Sequence, residues 1–246
     1  MARAWVGTSG WAYAHWENGA FYPPRLPPAE HLPFFAQAFA TVEINYSYYR
    51  LPPRTTFDTW RSNVPADFVF AVKASRYLTH MKKLKDPEQP LERLLHNAGG
   101  LGPNFGPVLF QFPARWKLDL DRLQGFMAAL DAHPSRRYAF EFRHQSWLTA
   151  DVYACLRDKN AALCLPVGLE IPLDPRLTAD WTYLRFHAGR GSLFFEDDEL
   201  APWAGRLIEW RAQGIESFTY FNNDGLWRGR PAAIDNARRL REMIDA

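Results

Sequence analysis

Glu43, Lys73, Glu141 and His187 carry the side-chain types that move protons near neutral pH, and each stands in or at the end of a short apolar run. Asn45, Gln111, Arg143, Arg185, Tyr220 and Asn222 recur in the same setting, most with an apolar residue immediately before them. Groups of separated pKa held about 3 Å from a reacting atom can act as general base and general acid. Glu43 or Glu141 suits the first role, and Lys73 or His187 the second or that of electrophile. The planar guanidinium groups of Arg143 and Arg185 suit bidentate contact with phosphate or carboxylate, and Lys73 a point contact.

Glu43 and Glu141 against Lys73, Arg143 and Arg185 leave an excess of about one positive charge, which a small anionic substrate would balance. The loop 188–192 after His187, Ala-Gly-Arg-Gly-Ser, is small enough for its backbone N–H groups to approach a phosphate. Trp11 and Trp147 lie where rings could stack on a sugar or a base, and 10–27 is long enough for a lid. Two carboxylates with aromatic platforms also fit glycoside hydrolysis. Glu43, Glu141 and His187 could ligate a metal, but three cations in the same set already supply positive charge. No metal and no cofactor are expected. The competing explanation is a structural ion-pair network; burying several charges costs several kcal/mol per ion before pairing repays it, which favours a role in chemistry or binding.

Such residues need a scaffold that brings strand ends together. Eight runs rich in β-branched and aromatic residues, 4–8, 41–48, 68–74, 107–112, 138–143, 161–167, 181–187 and 217–222, read as strands. Helical periodicity covers 29–39, 54–63, 91–98, 120–133, 149–159, 200–213 and 232–245, with Pro28 opening the first and Ser146 or Thr149 capping the fifth. Prolines 166, 172 and 175 leave no helix between the sixth and seventh strands. Eight strand–helix units with a mean period of about 31 residues predict an α/β protein, a single-domain TIM (β/α)8 barrel over 1–246. The turn after the first strand, Gly7-Thr8-Ser9-Gly10-Trp11, lacks the GxGxxG of a doubly wound dinucleotide fold. Because side chains alternate along a strand, the polar set falls on the inner face near the C-terminal mouth. Trp5 and Trp181 begin strands and belong to the opposite end.

With 47% apolar and 23% charged residues the chain of 246 can bury a substantial core, which excludes a disordered or low-complexity protein. Lys and Arg number 29 against 27 Asp and Glu, so no global basic field favours nucleic acid. The two cysteines, Cys155 and Cys164, have neither disulfide-framework nor zinc-site spacing and read as reduced thiols. No leader pattern and no apolar run long enough for a membrane span is present, so the expected location is the cytoplasm.

Eight blocks together resemble the YecE-like family. They are Gly7-Thr8-Ser9-Gly10-Trp11, Phe21-Tyr22-Pro23, Val42-Glu43-Ile44-Asn45 with Tyr48-Tyr49-Arg50, Lys73 with Thr79-His80, Gln111-Phe112-Pro113, Glu141-Phe142-Arg143-His144 with Ser146-Trp147, Arg185-Phe186-His187, and Tyr220-Phe221-Asn222-Asn223-Asp224. That family is a domain of unknown function with a TIM-barrel fold, so the resemblance implies the barrel and the strand-end site but no particular reaction. This chain departs from the family pattern at Ala188, where glycine is common, in a longer 225–231 stretch, and in a sixth strand ending Leu165-Pro166-Val167 without an acidic residue. The functional expectation is an enzyme of hydrolase, isomerase or lyase type acting on a small phosphorylated or carboxylated molecule, sugar-like ones included. The alternative is a non-catalytic module for a nucleotide or single-stranded nucleic acid.

Overall fold

The computed structural model describes residues 2–168 and 170–246. Eight parallel strands close into one barrel in sequence order: β1 (Ala4–Ser9), β2 (Thr41–Ile44), β3 (Val69–Lys73), β4 (Phe105–Gln111), β5 (Tyr138–Glu141), β6 (Ala162–Val167), β7 (Trp181–Phe186) and β8 (Glu216–Phe221), with β8 paired back onto β1. Around them lie α1 (His31–Ala38), α2 (Tyr46–Tyr49), α3 (Arg54–Ser62), α4 (Glu88–Ala98), α5 (Leu120–Leu130), α6 (Ala150–Asp158), α7 (Asp197–Ala212) and α8 (Ala232–Asp245). A small hairpin, β9 (Leu226–Trp227) and β10 (Arg230–Pro231), precedes α8. The TIM-barrel expectation holds. Among the described residues no helix joins β6 to β7, as the prolines require.

Two apolar layers follow from strand alternation. Inside the barrel, Trp5, Trp181, Tyr183, Phe218 and Tyr220 fill space left by Ala71, Ala139 and Ala162. Outside it, Val42, Phe70, Phe110, Phe140 and Leu184 pack beneath helix residues such as Phe35, Phe126, Leu207 and Leu240, with Phe110 and Phe126 edge to face at 4.9 Å. Gly7 is required on β1 because a Cβ there would lie 2.2 Å from the Thr41 carbonyl oxygen.

Several boundaries differ from the periodicity for local reasons. The second strand stops at Ile44, because Asn45 turns to helical dihedrals and the tyrosines after it wind into α2. Ser47 Oγ locks that turn by donating to Ile44 O at 3.1 Å or Lys73 O at 2.7 Å. Helix α7 starts at Asp197, before the predicted 200, on a capping box between Glu196 and Glu199. Thr149 caps α6 by accepting from Val152 N–H. The segment 10–27 is not a lid. Trp16 and Tyr22 in it have no exposed surface, Tyr22 stacks on His31 at 4.1 Å, and its hydroxyl donates to Trp11 O, so the segment is a packed wall.

Candidate functional site

Inner-face alternation carries Glu43, Glu141 and Arg185 to one level of the barrel, and all three are wholly buried. The Arg185 guanidinium forks onto Glu43, Nε to Oε2 at 3.0 Å and Nη2 to Oε1 at 2.9 Å, while Nη1 donates to Glu141 Oε2 at 2.7 Å. Tyr183 donates its hydroxyl to Glu43 Oε2 at 2.7 Å, and Arg143 Nε reaches Glu141 Oε1 at 2.6 Å. Burial alone would raise the pKa of both carboxyl groups. The Arg185 charge together with Lys73 and the Tyr183 hydroxyl at Glu43, and together with Arg143 at Glu141, outweighs it and holds both below the usual carboxylate range. Both carboxylates are therefore fixed anions under the floor of the mouth.

This corrects three expectations. Arg185 is not an anion clamp, because its donors are spent on Glu43, Glu141 and Asn222 Oδ1, the last at 3.1 Å. Glu43 and Glu141 are poor general bases, having no exposed surface and strong partners. The expected excess of about one positive charge rests on Lys73 in its protonated form, since two carboxylates offset two guanidinium groups. Tyr220 also sits too deep for a ligand: it is fully buried with its hydroxyl 2.7 Å from Thr41 Oγ1 at the start of β2.

Above that floor opens a cleft of about 740 Å³. Asn45, Lys73, Gln111, Arg143 and Asn222 line it from the strand ends, and Trp11 and Tyr13 from the segment after β1. Its other wall, absent from the sequence expectation as a unit, is Tyr46, Tyr48 and Tyr49 of α2 with Trp60 of α3. Lys73 Nζ lies 4.3 Å from the Tyr48 ring centroid. Burial, then the nearby Arg185 charge, brings its pKa down to about 7. The Tyr48 hydroxyl is 3.2 Å from His80 Nε2, and His80 Nδ1 is 2.9 Å from Thr79 Oγ1. Burial, Lys73 and Arg143 push His80 down to about 4, so its imidazole is neutral. His80 belongs to a single π-helical turn, Tyr77–Met81, a geometry that no residue period announces.

His187 lies at the edge of this arrangement and does not line the cleft. Arg185 fixes Asn222 Oδ1 as acceptor, so Asn222 Nδ2 donates to His187 Nδ1 at 3.3 Å, leaving the hydrogen on Nε2, 3.8 Å from Glu141 Oε1. Burial drives its pKa to about 4 despite Glu141. At neutral pH it is an uncharged imidazole, an orienting group for Asn222 and not an acid. On the far rim Asp224 lines the cleft and pairs with His15 Nε2 at 2.6 Å, two residues 209 apart in sequence. Among the described residues no three His, Cys, Asp or Glu side chains are grouped to hold a metal ion.

Two loop readings fail on packing. The 188–192 loop is a poor phosphate cradle, since the Glu199 carboxylate already accepts from its Arg190 N–H at 2.7 Å and α7 begins with three acidic residues. Trp147 is no stacking platform: it is fully buried, lies 4.6 Å from Phe142 ring to ring, and donates Nε1–H to Trp116 O at 2.7 Å. Replacing Trp147 with Phe leaves that carbonyl unpaired and costs about 1–2 kcal/mol of stability in urea unfolding, with the melting response to ligands unchanged. A changed ligand response would return Trp147 to the site.

The whole-chain comparison fits this geometry. The family model described as "Protein of unknown function DUF72" matches residues 5–246. The UPF0759 protein YunF of Bacillus subtilis (strain 168) is 24% identical over 274 residues, covering 98% of this chain and 94% of that protein. A DUF72 family protein from Thermotoga maritima MSB8 superposes with TM-score 0.82 at 27% identity, over 99% of both chains. One from Enterococcus faecalis V583 shares the fold at TM-score 0.79 and 16% identity, over 99% of this chain and 96% of that one. No described helix is long and apolar enough to cross a membrane.

Proposed function

The chain belongs to the DUF72 family, for which YecE-like is another name, and on that premise we propose that the barrel mouth performs acid–base chemistry on a small anionic molecule. The observation that carries the reading is the unequal treatment of the cations. Arg185 is neutralised under the floor, whereas Lys73 and the outer nitrogens of Arg143 face the cleft without a hydrogen-bond partner among the described residues. Arg143 clamps the phosphate or carboxylate group of the substrate. Lys73, poised near neutrality, takes and returns the proton, a role first expected of Glu43 or Glu141. Asn45, Gln111 and Asn222 orient the rest of the molecule, and Trp11 with Tyr48 and Tyr49 covers its apolar face.

Inorganic phosphate, sugar phosphates and small carboxylates at constant ionic strength are expected to raise the melting temperature as their concentration passes the dissociation constant. The Arg143→Ala protein should lose that shift while folding normally, because Glu141 keeps Arg185. Stabilisation that survives in the variant, or that never appears in the unaltered protein, overturns the anion site. A second reading, nucleotide or single-stranded nucleic-acid binding, rests on the rim tyrosines Tyr46 and Tyr49, exposed at 56% and 72%. Stabilisation by nucleoside monophosphates far beyond that by ribose phosphate would favour it.

A further inference from the structure

Lysines at strand ends usually meet a carboxylate or reach solvent, and Lys73 does neither. It is 9% exposed, and among the described residues nothing accepts a hydrogen bond or forms an ion pair at its Nζ. Its immediate neighbour is the face of the Tyr48 ring, and burial with two more cations, Arg185 and Arg143, outweighs the pull of the Glu43 and Glu141 carboxylates, neither of which it touches. An amine kept from water, next to fixed positive charge and open to a cleft, is the arrangement that makes lysine a nucleophile toward carbonyl carbon. We propose that Lys73 forms an imine with its substrate, so that the cleft takes a small aldehyde or ketone bearing an anionic group. The proposal rests on the reading above and adds the functional group that reacts.

The step balances without an outside reagent. The neutral amine's lone pair forms the N–C bond, and the carbonyl π pair moves to oxygen. The two amine protons end on that oxygen, which leaves as water when the C–O bond breaks. Nothing is oxidised or reduced. Tyr48 and His80, hydrogen-bonded to each other beside Lys73, are the neighbours able to ferry a proton to the departing oxygen. Arg143 fixes the anionic end so that the carbonyl meets Nζ. Depression of the Lys73 pKa to about 7 leaves a large share of the amine uncharged at neutral pH. An ordinary lysine is uncharged in roughly one molecule in a few thousand under those conditions.

The test traps the imine on the full-length protein. Dihydroxyacetone phosphate and pyruvate are each added at neutral pH with sodium cyanoborohydride, which delivers hydride to an imine carbon and leaves a stable secondary amine. Peptide mapping by mass spectrometry then locates a gain equal to the carbonyl compound less one oxygen atom. Expected is an adduct on Lys73 forming about tenfold or more faster than on exposed lysines such as Lys83. It should vanish in Lys73→Met and be slowed in Arg143→Ala. Mapping on the unaltered protein locates the adduct even if a variant fails to fold. No adduct, or modification confined to exposed lysines, overturns the imine. If phosphate still raises the melting temperature in that case, the anion site stands and only the nucleophile is wrong. An adduct on Lys73 without any phosphate stabilisation supports the imine and removes the anion clamp.

Discussion

Replacing Arg185 with Met lowers the unfolding free energy by about 3–5 kcal/mol. The reason is the company it keeps. Glu43 and Glu141 have no exposed side-chain surface, and each accepts charge-assisted bonds from the same guanidinium. Without it Glu43 is left with the Tyr183 hydroxyl and the more distant Lys73 charge, and Glu141 with Arg143 as its one remaining strong donor. The loss should carry a pH signature. Both carboxyl groups titrate below their ordinary range in the folded protein, so they contribute stability above the unfolded value of about 4.3, and it is lost as pH falls toward the folded values. In the variant those values rise, and acid unfolding followed by tryptophan fluorescence moves to higher pH. A triple change, Glu43→Gln, Arg185→Met and Glu141→Gln, should recover part of the lost stability, because replacing a whole buried ion network is far less costly than removing one member. A single-variant loss below about 1 kcal/mol would mean that water reaches the network and that the floor is not closed.

The barrel was legible because alternation with period two and the strand–helix repeat are both local. The same alternation put Glu43, Lys73, Glu141 and Arg185 on one inner face, and the inner face is where they lie. Depth is not local. A strand pattern gives the side on which Arg185 points but not that Glu43, 142 residues away, and Glu141, 44 away, close over it. Trp147 misled for a related reason, since a short 3-10 turn after β5 folds it into the layer outside the barrel. The tyrosines of α2 passed for strand because aromatic runs favour strands, and only the packing of Ser47 against β3 turns them into the cleft wall. His80 was visible only within the resemblance, since one π-helical turn leaves no periodic trace.

Lys73→Met is expected to do the opposite of Arg185→Met and stabilise the protein by about 3–5 kcal/mol at neutral pH. A folded pKa near 7 against about 10.4 unfolded means that the unfolded chain binds more protons between those values. Stability then rises with pH across that window, so the penalty of burying the ammonium is complete below about pH 7 and gone above about pH 10.5. Removing the amine should therefore raise stability most at or below neutral pH and not at all at high pH, while ending any imine trapping. Urea unfolding across that range checks it, with the difference between variant and unaltered protein as the readout. A difference that is flat in pH, or a destabilised variant, would mean that Lys73 is held as a cation by its setting, with Tyr48 as its partner. Two cations of one barrel layer would then share a structural role, whereas opposite signs for Arg185 and Lys73 separate the residue that closes the floor from the one kept at a cost for chemistry.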